Sequence, residues 1–267
     1  MICPVARVYG VDFSGAADAG RRIWVASGTV GNKVLCIDDL RRAAELPGGG
    51  LDRAAALDAL RAFIQAAGPC AVGCDFPFGL PEPLVGAPTW EAFALAFAER
   101  YPAPDAFRAR CREAAEGKEL RRATDREART PFSSYNLRLY RQTWTGIVEL
   151  LAPLVRAGAA VVPMQPPRSR VPWLLEVCPA STLERAGRYR PYKGRTAGHR
   201  VARAAILAAF TEQDLTVSLE IRERAVADPG GDALDALIAA AATFRAVVAP
   251  DFPGADPRYA LEGRVYA

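Results

Sequence analysis

Residues 7–13 (RVYGVDF) form an apolar run with one acid, Asp12, near its end, and a run of this kind predicts a buried β-strand. Two more strands are predicted at residues 22–30 (RIWVASGTV) and 33–38 (KVLCID). The first gap is rich in glycine, alanine and aspartate, and the second carries a Gly-Asn turn signal. Three neighbouring strands joined by tight turns predict an antiparallel meander.

A helix and a fourth strand follow this meander. Residues 51–67 carry apolar side chains at helical spacing and end at a Gly-Pro pair, which predicts an amphipathic helix. Residues 71–75 (AVGCD) read as a buried strand that ends in a second acid, Asp75. A strand, a helix and another strand in this order imply a parallel crossover. The expected sheet is therefore mixed, with three antiparallel strands followed by parallel ones.

The middle of the chain, at about residues 80–170, is mostly helical and is punctuated by prolines. The apolar run WLLEV at 173–177 then resumes the sheet, and further helices are expected at 198–211 and 231–248. We expect a single α/β domain over residues 1–267, with the helical insertion between its fourth and fifth core strands.

The composition is that of an ordinary globular protein. The chain has 267 residues, of which 51% are apolar and 24% charged, enough for one sizeable core. No apolar run approaches the roughly 20 residues that cross a bilayer, and the N-terminus lacks a secretory layout, so we expect no membrane partner and a cytoplasmic location. The six cysteines, Cys3 among them, are interpreted as core or incidental residues. The basic residues between 100 and 130 alternate with glutamate and are interpreted as solvated helix faces.

Five acids lie at the ends of predicted strands or at the start of the last helix: Asp12, Asp75, Glu176, Asp232 and Asp235. Buried ionised carboxylates are costly unless a positive charge compensates them, and one divalent metal compensates several at once. Asp232 and Asp235 are three residues apart, which places them on one face of the helix near its positive end. We therefore expect a magnesium or manganese site.

Three of these acids also have a purely structural interpretation. Asp12 could form a turn, Asp75 could cap a rigid bend, and Asp232 could be the N-cap of the last helix. The strand position of Asp12 favours function, whereas the two interpretations of Asp75 are evenly balanced. Glu176 stands in a segment without another charge, where a buried glutamate lacking a partner is normally excluded, so function is favoured. Asp235 lies past the cap and is the stronger candidate of the last helix.

Six residues are expected to contact a substrate. The backbone amides that begin at Ser14 can meet a phosphate. Tyr135, Tyr140 and Trp144 share one predicted helix with two arginines, a mixture suited to nucleic acid. A lysine and two arginines near the start of the helix at 198–211 are further phosphate candidates. The expected substrate-binding residues are Ser14, Arg138, Arg141, Lys193, Arg200 and Arg203.

Several short motifs occur together in an order typical of one known family. They are GVDFSGA (10–16), DFPFGLP (75–81), LLEVCPAST (174–182), YKG (192–194) with the following HRVAR (199–203), and GGDALDALIAA (230–240). Together they resemble the domain-of-unknown-function 429 family, whose members are described as predicted ribonuclease H-like nucleases, over nearly the whole chain. The strand order, with acids on the first and fourth strands and a D-x-x-D-A helix at the end, likewise resembles the ribonuclease H-like fold.

The resemblance implies a ribonuclease H-like mixed sheet flanked by helices and a metal-dependent phosphodiesterase. Asp12, Asp75 and Asp235 would be the core ligands of Mg²⁺ or Mn²⁺, with Glu176 and Asp232 as supporting ligands. In such a site two cations about 4 Å apart activate water and neutralise the leaving oxygen, so no side-chain nucleophile is needed. The expected function is a divalent-metal-dependent nuclease, with nucleic acid as partner and Asp12, Asp75, Glu176 and Asp235 as catalytic residues.

Two other functions stay open on the same fold. Sugar kinases and actin-like ATPases also place small residues after a first-strand aspartate, as in residues 12–16, and a glycine pair such as Gly230 and Gly231 can hold a nucleoside. Against an ATP-binding phosphotransferase, the chain is short for two such domains. It also has no G-x-x-x-x-G-K-[ST] loop, which would indicate a different kind of ATPase. The remaining alternative is a non-catalytic binding protein that keeps the fold and the acids.

Overall fold

An eight-stranded mixed sheet forms the centre of the computed structural model, which describes residues 5–32, 34–254 and 256–267. Its strands are β1 (Arg7–Asp12), β2 (Trp24–Val30), β3 (Leu35–Arg42), β4 (Ala71–Cys74), β5 (Ala160–Val162), β6 (Trp173–Val177), β7 (Leu215–Thr216) and β8 (Val265–Tyr266). The strand order is β5-β6-β4-β1-β2-β3-β7, and β8 continues the edge beside β6. Strands β1, β2 and β3 pair antiparallel, whereas β4, β6 and β5 run parallel to β1. This α/β architecture confirms the predicted fold class and is consistent with a ribonuclease H-like fold.

Helices cover both faces of the sheet. They are α1 (Ala19–Arg22), α2 (Arg53–Ala66), α3 (Glu82–Val85), α4 (Trp90–Arg100), α5 (Pro104–Ala114), α6 (Ala123–Glu127), α7 (Tyr140–Thr145), α8 (Ala152–Arg156), α9 (Pro179–Arg185), α10 (Ala197–Thr211), α11 (Leu219–Ala227), α12 (Asp232–Val248) and α13 (Tyr259–Glu262). A π-helical stretch, Gly146–Leu151, joins α7 to α8, and a 3₁₀ turn, Ala43–Glu45, follows β3. None of the helices in the described part of the chain has both the length and the apolar character that a bilayer crossing needs.

The meander lies where the sequence predicts it, with small shifts at its ends. The third strand runs on to Arg42 and buries Leu35, Ile37 and Leu40, and an irregularity in its pairing with β2 between Ile37 and Asp39 returns Leu40 to the core. Lys33, the first residue of the predicted third strand, lies outside the described residues, as does Cys3. Helix α2 begins after Asp52, whose side chain accepts a hydrogen bond from the Ala55 amide as an N-cap.

The segment between β4 and β6 carries helices α3 to α8 and one strand. That strand, β5, pairs parallel with β6, so the fifth strand along the chain precedes the WLLEV strand instead of being it. The helices of this segment pack around buried aromatic side chains, in which the Phe97 ring contacts Phe93, Tyr101 and Phe107. The segment has a core of its own that continues into the core on one face of the sheet.

Helix α12 packs across the opposite face of the sheet, over β1, β2 and β4. Its approach is close because the facing strands carry glycines. A Cβ atom at Gly10 would overlap backbone atoms of Ala236 and Ala240, and one at Gly73 would overlap the Thr243 hydroxyl. The absence of these two side chains brings the first turn of α12 to the carboxyl ends of β1 and β4.

Candidate metal centre

The carboxyl ends of β1 and β4 bring two acids side by side. Asp12 is the last residue of β1, and Asp75 follows the last residue of β4. The two strands are parallel neighbours in which Val11 pairs with Cys74, and the Asp75 amide donates to the Val11 carbonyl at 3.0 Å. This register fixes the two carboxylates at the same edge of the sheet.

Two further acids reach the same edge from the first turn of α12. Asp235 is buried at 2% exposure, and Asp232 is partly exposed. The structure does not place Asp232 at the N-cap of α12. The Ala233 amide donates instead to Asp228 Oδ2 at 3.1 Å, and Gly231 occupies the cap position in a left-handed conformation.

The four acids perturb each other's ionisation. Burial raises the pKa of Asp12 well above its usual value, and the negative charges of Asp235, Asp75 and Asp232 raise it further. Burial, followed by repulsion from Asp235, raises the pKa of Asp75 to about 8. Burial also raises the pKa of Asp235, although Lys193 opposes the shift. Such mutual repulsion means that the site holds more negative charge than the protein itself compensates.

Lys193 supplies the positive charge within this group. Its Nζ lies 2.6 Å from Asp235 Oδ2 and 3.8 Å from Asp232 Oδ1, and its side chain is 53% exposed. The hydroxyl of Tyr192 donates to the other Asp235 oxygen at 2.5 Å. Partial burial lowers the pKa of Lys193, but the attraction of Asp235 and Asp12 outweighs it and moves the pKa upward. Lys193 is therefore a charged counter-ion that solvent or a substrate can still reach.

Arg203 holds the loop that carries Lys193. Its Nη1 donates to the carbonyls of Tyr192 at 2.6 Å and Gly194 at 3.0 Å, and its Nε donates to the Val226 carbonyl at 2.9 Å. The side chain is 2% exposed. This burial corrects the prediction that Arg203 contacts a phosphate, because the guanidinium lies inside the protein with its Nη1 and Nε bonded to backbone carbonyls.

Glu176 lies beside this group but has a partner that the sequence analysis missed. Arg122, 1% exposed, donates to Glu176 Oε1 at 2.5 Å and Oε2 at 2.7 Å, and it also pairs with Asp125 at 2.7 Å. The Phe78 amide donates to Glu176 Oε2 at 2.9 Å. Both Glu176 oxygens are therefore engaged, which corrects the premise that this buried glutamate needs a metal as its partner. Arg122 also corrects the interpretation of residues 100–130 as solvated throughout.

Gln142 ties the two strand ends together from the helical segment. Its Nε2 donates to the Phe13 carbonyl at 2.9 Å and to the Asp75 carbonyl at 2.8 Å. These carbonyls follow β1 and β4 directly, so one amide group fixes the spacing between the backbones that carry Asp12 and Asp75. An isolated glutamine in a helical pattern gives no signal of such a role in the sequence.

The other predicted substrate residues divide into two groups. Arg138 lines a cavity of about 540 Å³ that also reaches Asp75, Lys193 and Asp235. Ser14, Arg141 and Arg200 do not line this cavity.

The three residues outside the cavity have other surroundings. Ser14 Oγ accepts from the Ala16 amide at 3.3 Å, and Arg141 donates to the Tyr140 hydroxyl at 2.7 Å. Arg200 is exposed on the first turn of α10. Tyr135 and Tyr140 are buried, and Trp144 donates to the Tyr101 carbonyl, so these three aromatics belong to the interior instead of a binding surface.

The chemistry of the donor set fits a hard divalent cation, because Mg²⁺ and Mn²⁺ prefer carboxylate oxygens. In the described part of the chain, the carboxyl groups of Asp12 and Asp75 have no hydrogen-bond donor of their own, whereas Asp235 has two. Among the same described residues, no group of three Asp, Glu, His or Cys side chains is arranged to hold a metal as it stands. Loading a cation therefore requires the carboxylates to turn towards each other and Lys193 to move away from Asp235.

A family model described as "Protein of unknown function (DUF429)" matches residues 10–251. The matched span includes Asp12, Asp75, Glu176, Asp232 and Asp235. Neither the curated proteins nor the solved structures contain a match to the chain.

Proposed function

The chain belongs to the DUF429 family of proteins of unknown function, and we propose that it is a divalent-metal-dependent nuclease that hydrolyses phosphodiester bonds of nucleic acid. The observation that carries the proposal is the convergence of Asp12, Asp75, Asp232 and Asp235, whose pKa values are raised first by burial and then by neighbouring carboxylates. Acids from positions more than 200 residues apart meet at one sheet edge with a single lysine among them. A cation of charge +2 would relieve that repulsion once the carboxylates turn towards it and Lys193 leaves Asp235.

Asp12, Asp75 and Asp235 would hold Mg²⁺ or Mn²⁺, and Asp232 would support them from the rim. When bound, a divalent cation makes a water molecule more acidic and neutralises charge on the leaving oxygen. Gln142 keeps the spacing between the first two carboxylates, and Arg203 keeps Lys193 in reach. Lys193 can exchange its contact with Asp235 for a non-bridging phosphate oxygen of the substrate.

Positive side chains at the adjacent cavity favour nucleic acid as the substrate. Arg129 and Arg138 line that cavity together with Lys193, and Arg138 is exposed. Within residues 5–32, 34–254 and 256–267, neither arginine has an ion-pair partner, so both can neutralise phosphates without first breaking a salt bridge.

One structural feature argues against an ATP-binding phosphotransferase. A Cβ atom at Gly231 would lie 2.8 Å from the Tyr192 ring and 3.2 Å from Lys193, so the loop that carries Lys193 covers Gly231 and leaves it no open face for a nucleoside. Calorimetric titration with ATP and magnesium separates this rival from a nuclease. Tight binding followed by slow loss of the γ-phosphate would favour the rival.

The nuclease proposal is tested by hydrolysis of labelled single-stranded, duplex and branched DNA and RNA. The wild type is expected to cleave at least one of these substrates in Mn²⁺ or Mg²⁺ and none in EDTA. Asp12→Asn and Asp235→Asn each remove one ligand charge and are expected to slow cleavage by at least about 100-fold. Asp58→Asn removes an exposed acid of α2 that pairs with Arg61, and it serves as the matched control.

Equal cleavage rates in the wild type and in both site variants would remove the proposal. Absence of cation-dependent cleavage of any of these substrates would leave the non-catalytic binding protein as the better description.

We also propose a reducing, cytoplasmic compartment. The described cysteines, Cys36, Cys70, Cys74, Cys111 and Cys178, are all free. Unpaired thiols of this number are typical of proteins kept in reducing conditions. Thiol titration of the unreduced, denatured protein purified from its native cells is expected to find these groups free, and a disulfide among them would contradict the location.

A further inference from the structure

The cavity beside the acids is also lined by residues that the metal site does not use. Its lining, around a volume of about 540 Å³, includes Phe132 and Tyr189 in addition to Asp75, Lys193 and Asp235. A neighbouring cavity of about 260 Å³ shares Asp75, Phe132 and Lys193 with it. We call the two together the aromatic cavity. Their combined size is within the range that takes a small organic ligand.

The aromatic residues of the lining offer flat surfaces to a flat ligand. The guanidinium carbon of Arg138 lies 5.3 Å from the centre of the Phe132 ring, so an aromatic plane and a planar cation stand together. Phe132 is partly exposed, and Tyr189 is 54% exposed. Neither ring is needed to fill the interior, unlike the buried aromatic rings of α4 and α5.

Charge is distributed unevenly around the cavity. Arg129 and Arg138 both line it, Arg138 stands over the Phe132 ring, and Lys193 lies at the acids. Glu184 is the one acid in the lining of the larger cavity apart from Asp75 and Asp235. The smaller cavity adds Asp125 and Glu176, which are both paired with Arg122. A ligand that complements this arrangement is flat and apolar at one end and negatively charged next to it.

We propose that the aromatic cavity binds one unstacked nucleotide, with its base against Phe132 and its phosphate towards Lys193 and the acids. This inference rests on the proposed nuclease function and adds its substrate class, an unpaired nucleotide within a single strand or free in solution. A base within a duplex is covered by its neighbours on both faces and cannot reach the Phe132 ring unless it is first unstacked at a cost in free energy. Single strands present their bases without that cost.

Binding measurements test the cavity without requiring cleavage. Fluorescence anisotropy in calcium buffer would compare a labelled strand of about 12 nucleotides with its blunt duplex, and we expect the single strand to bind at least about tenfold more tightly. Phe132→Ala is expected to weaken single-strand binding about tenfold and to leave duplex binding unchanged, while Phe132→Tyr, which keeps a ring, retains the affinity. Competition by a mononucleotide tests whether the cavity takes a free nucleotide. Displacement of the labelled strand would show that it does, and no displacement would leave a nucleotide within a strand as the ligand.

Two further variants separate stacking from charge and from damage to the fold. Arg138→Ala is expected to weaken single-strand binding and to reduce its salt dependence. Arg126→Ala removes another exposed arginine of the same segment, which lies outside the cavity, and this variant is expected to bind as the wild type does. A 2-aminopurine base in the strand is expected to be quenched by the wild type and not by Phe132→Ala, which reports stacking directly.

Duplex binding as tight as single-strand binding, or wild-type affinity in Phe132→Ala, would overturn the inference. If cation-dependent cleavage occurs but is unaffected by Phe132→Ala on single strands, the cavity assignment fails and the nuclease function stands. If the strand binds through Phe132 but no cation supports cleavage, the nuclease function fails and the binding site stands.

Discussion

At the scale of single residues, Glu176 shows how a buried charge is held in this chain. Its carboxylate accepts from both terminal nitrogens of Arg122 and from the Phe78 amide, and Arg122 in turn pairs with Asp125. The pair joins β6 to the helical segment across 54 positions of sequence. We infer that Glu176 anchors that segment beside Asp75, and that its effect on the acids is indirect.

Glu176→Gln keeps the shape of the side chain and removes its charge from Arg122. Breaking a buried ion pair typically costs about 3–5 kcal/mol, and we expect the lower end because Asp125 still compensates Arg122. Urea denaturation measures the loss, and Asp58→Asn at an exposed ion pair is expected to unfold at nearly the wild-type urea concentration. Unchanged stability of Glu176→Gln together with lost cation binding would instead make Glu176 a ligand.

At the scale of elements, the contact between α12 and the sheet determines whether the acids meet. The helix is almost wholly buried and alanine-rich, and it approaches β1 and β4 where they carry Gly10 and Gly73. Small residues on both partners let the backbones come close enough for Asp235 to reach the end of β1.

Gly10→Ala adds a methyl group that would overlap backbone atoms of Ala236 and Ala240, which cannot swing aside as a side chain can. We expect the free energy of unfolding to fall by about 1–3 kcal/mol and Asp235 to be displaced from Asp12. Gly198→Ala is the matched control, because its Cβ would meet only the Thr196 hydroxyl at 3.8 Å in the first turn of α10. Alanine there is expected to leave stability unchanged or raise it slightly. Equal stability of the two variants would show that α12 does not need the glycine.

The sequence allows the elements to be predicted better than their contacts. The carboxyl ends of parallel neighbouring strands lie at the same edge of the sheet. Asp12 at the end of β1 and Asp75 after β4 could therefore be expected to lie close together. The short edge strand β5 was not predicted, because three apolar residues within a helical segment give no clear period. Arg122 and Gln142 could not be found from the sequence either. A buried arginine and a solvated one look alike in a basic run, and only the folding of the segment selects their partners.

At the scale of the whole molecule, acids and arginines line one opening. The chain carries a net charge of +4, yet Asp12, Asp75 and Asp235 are gathered at one sheet edge. Arg129 and Arg138 line the adjoining cavity. This arrangement suits a polyanion that is drawn in by the arginines and meets the acids only when a cation is bound.

The account depends on one property above all, which is that Asp12, Asp75 and Asp235 bind a divalent cation. Calorimetric titration of the metal-free protein with Mg²⁺ measures it directly. We expect saturable binding by the wild type and its loss in Asp12→Asn and Asp235→Asn. Because the pKa of Asp75 is raised to about 8, its proton competes with the cation below that value, and binding should be tighter at about pH 9 than at about pH 6. No binding by the wild type, or equal binding by the wild type and both variants, would contradict the account.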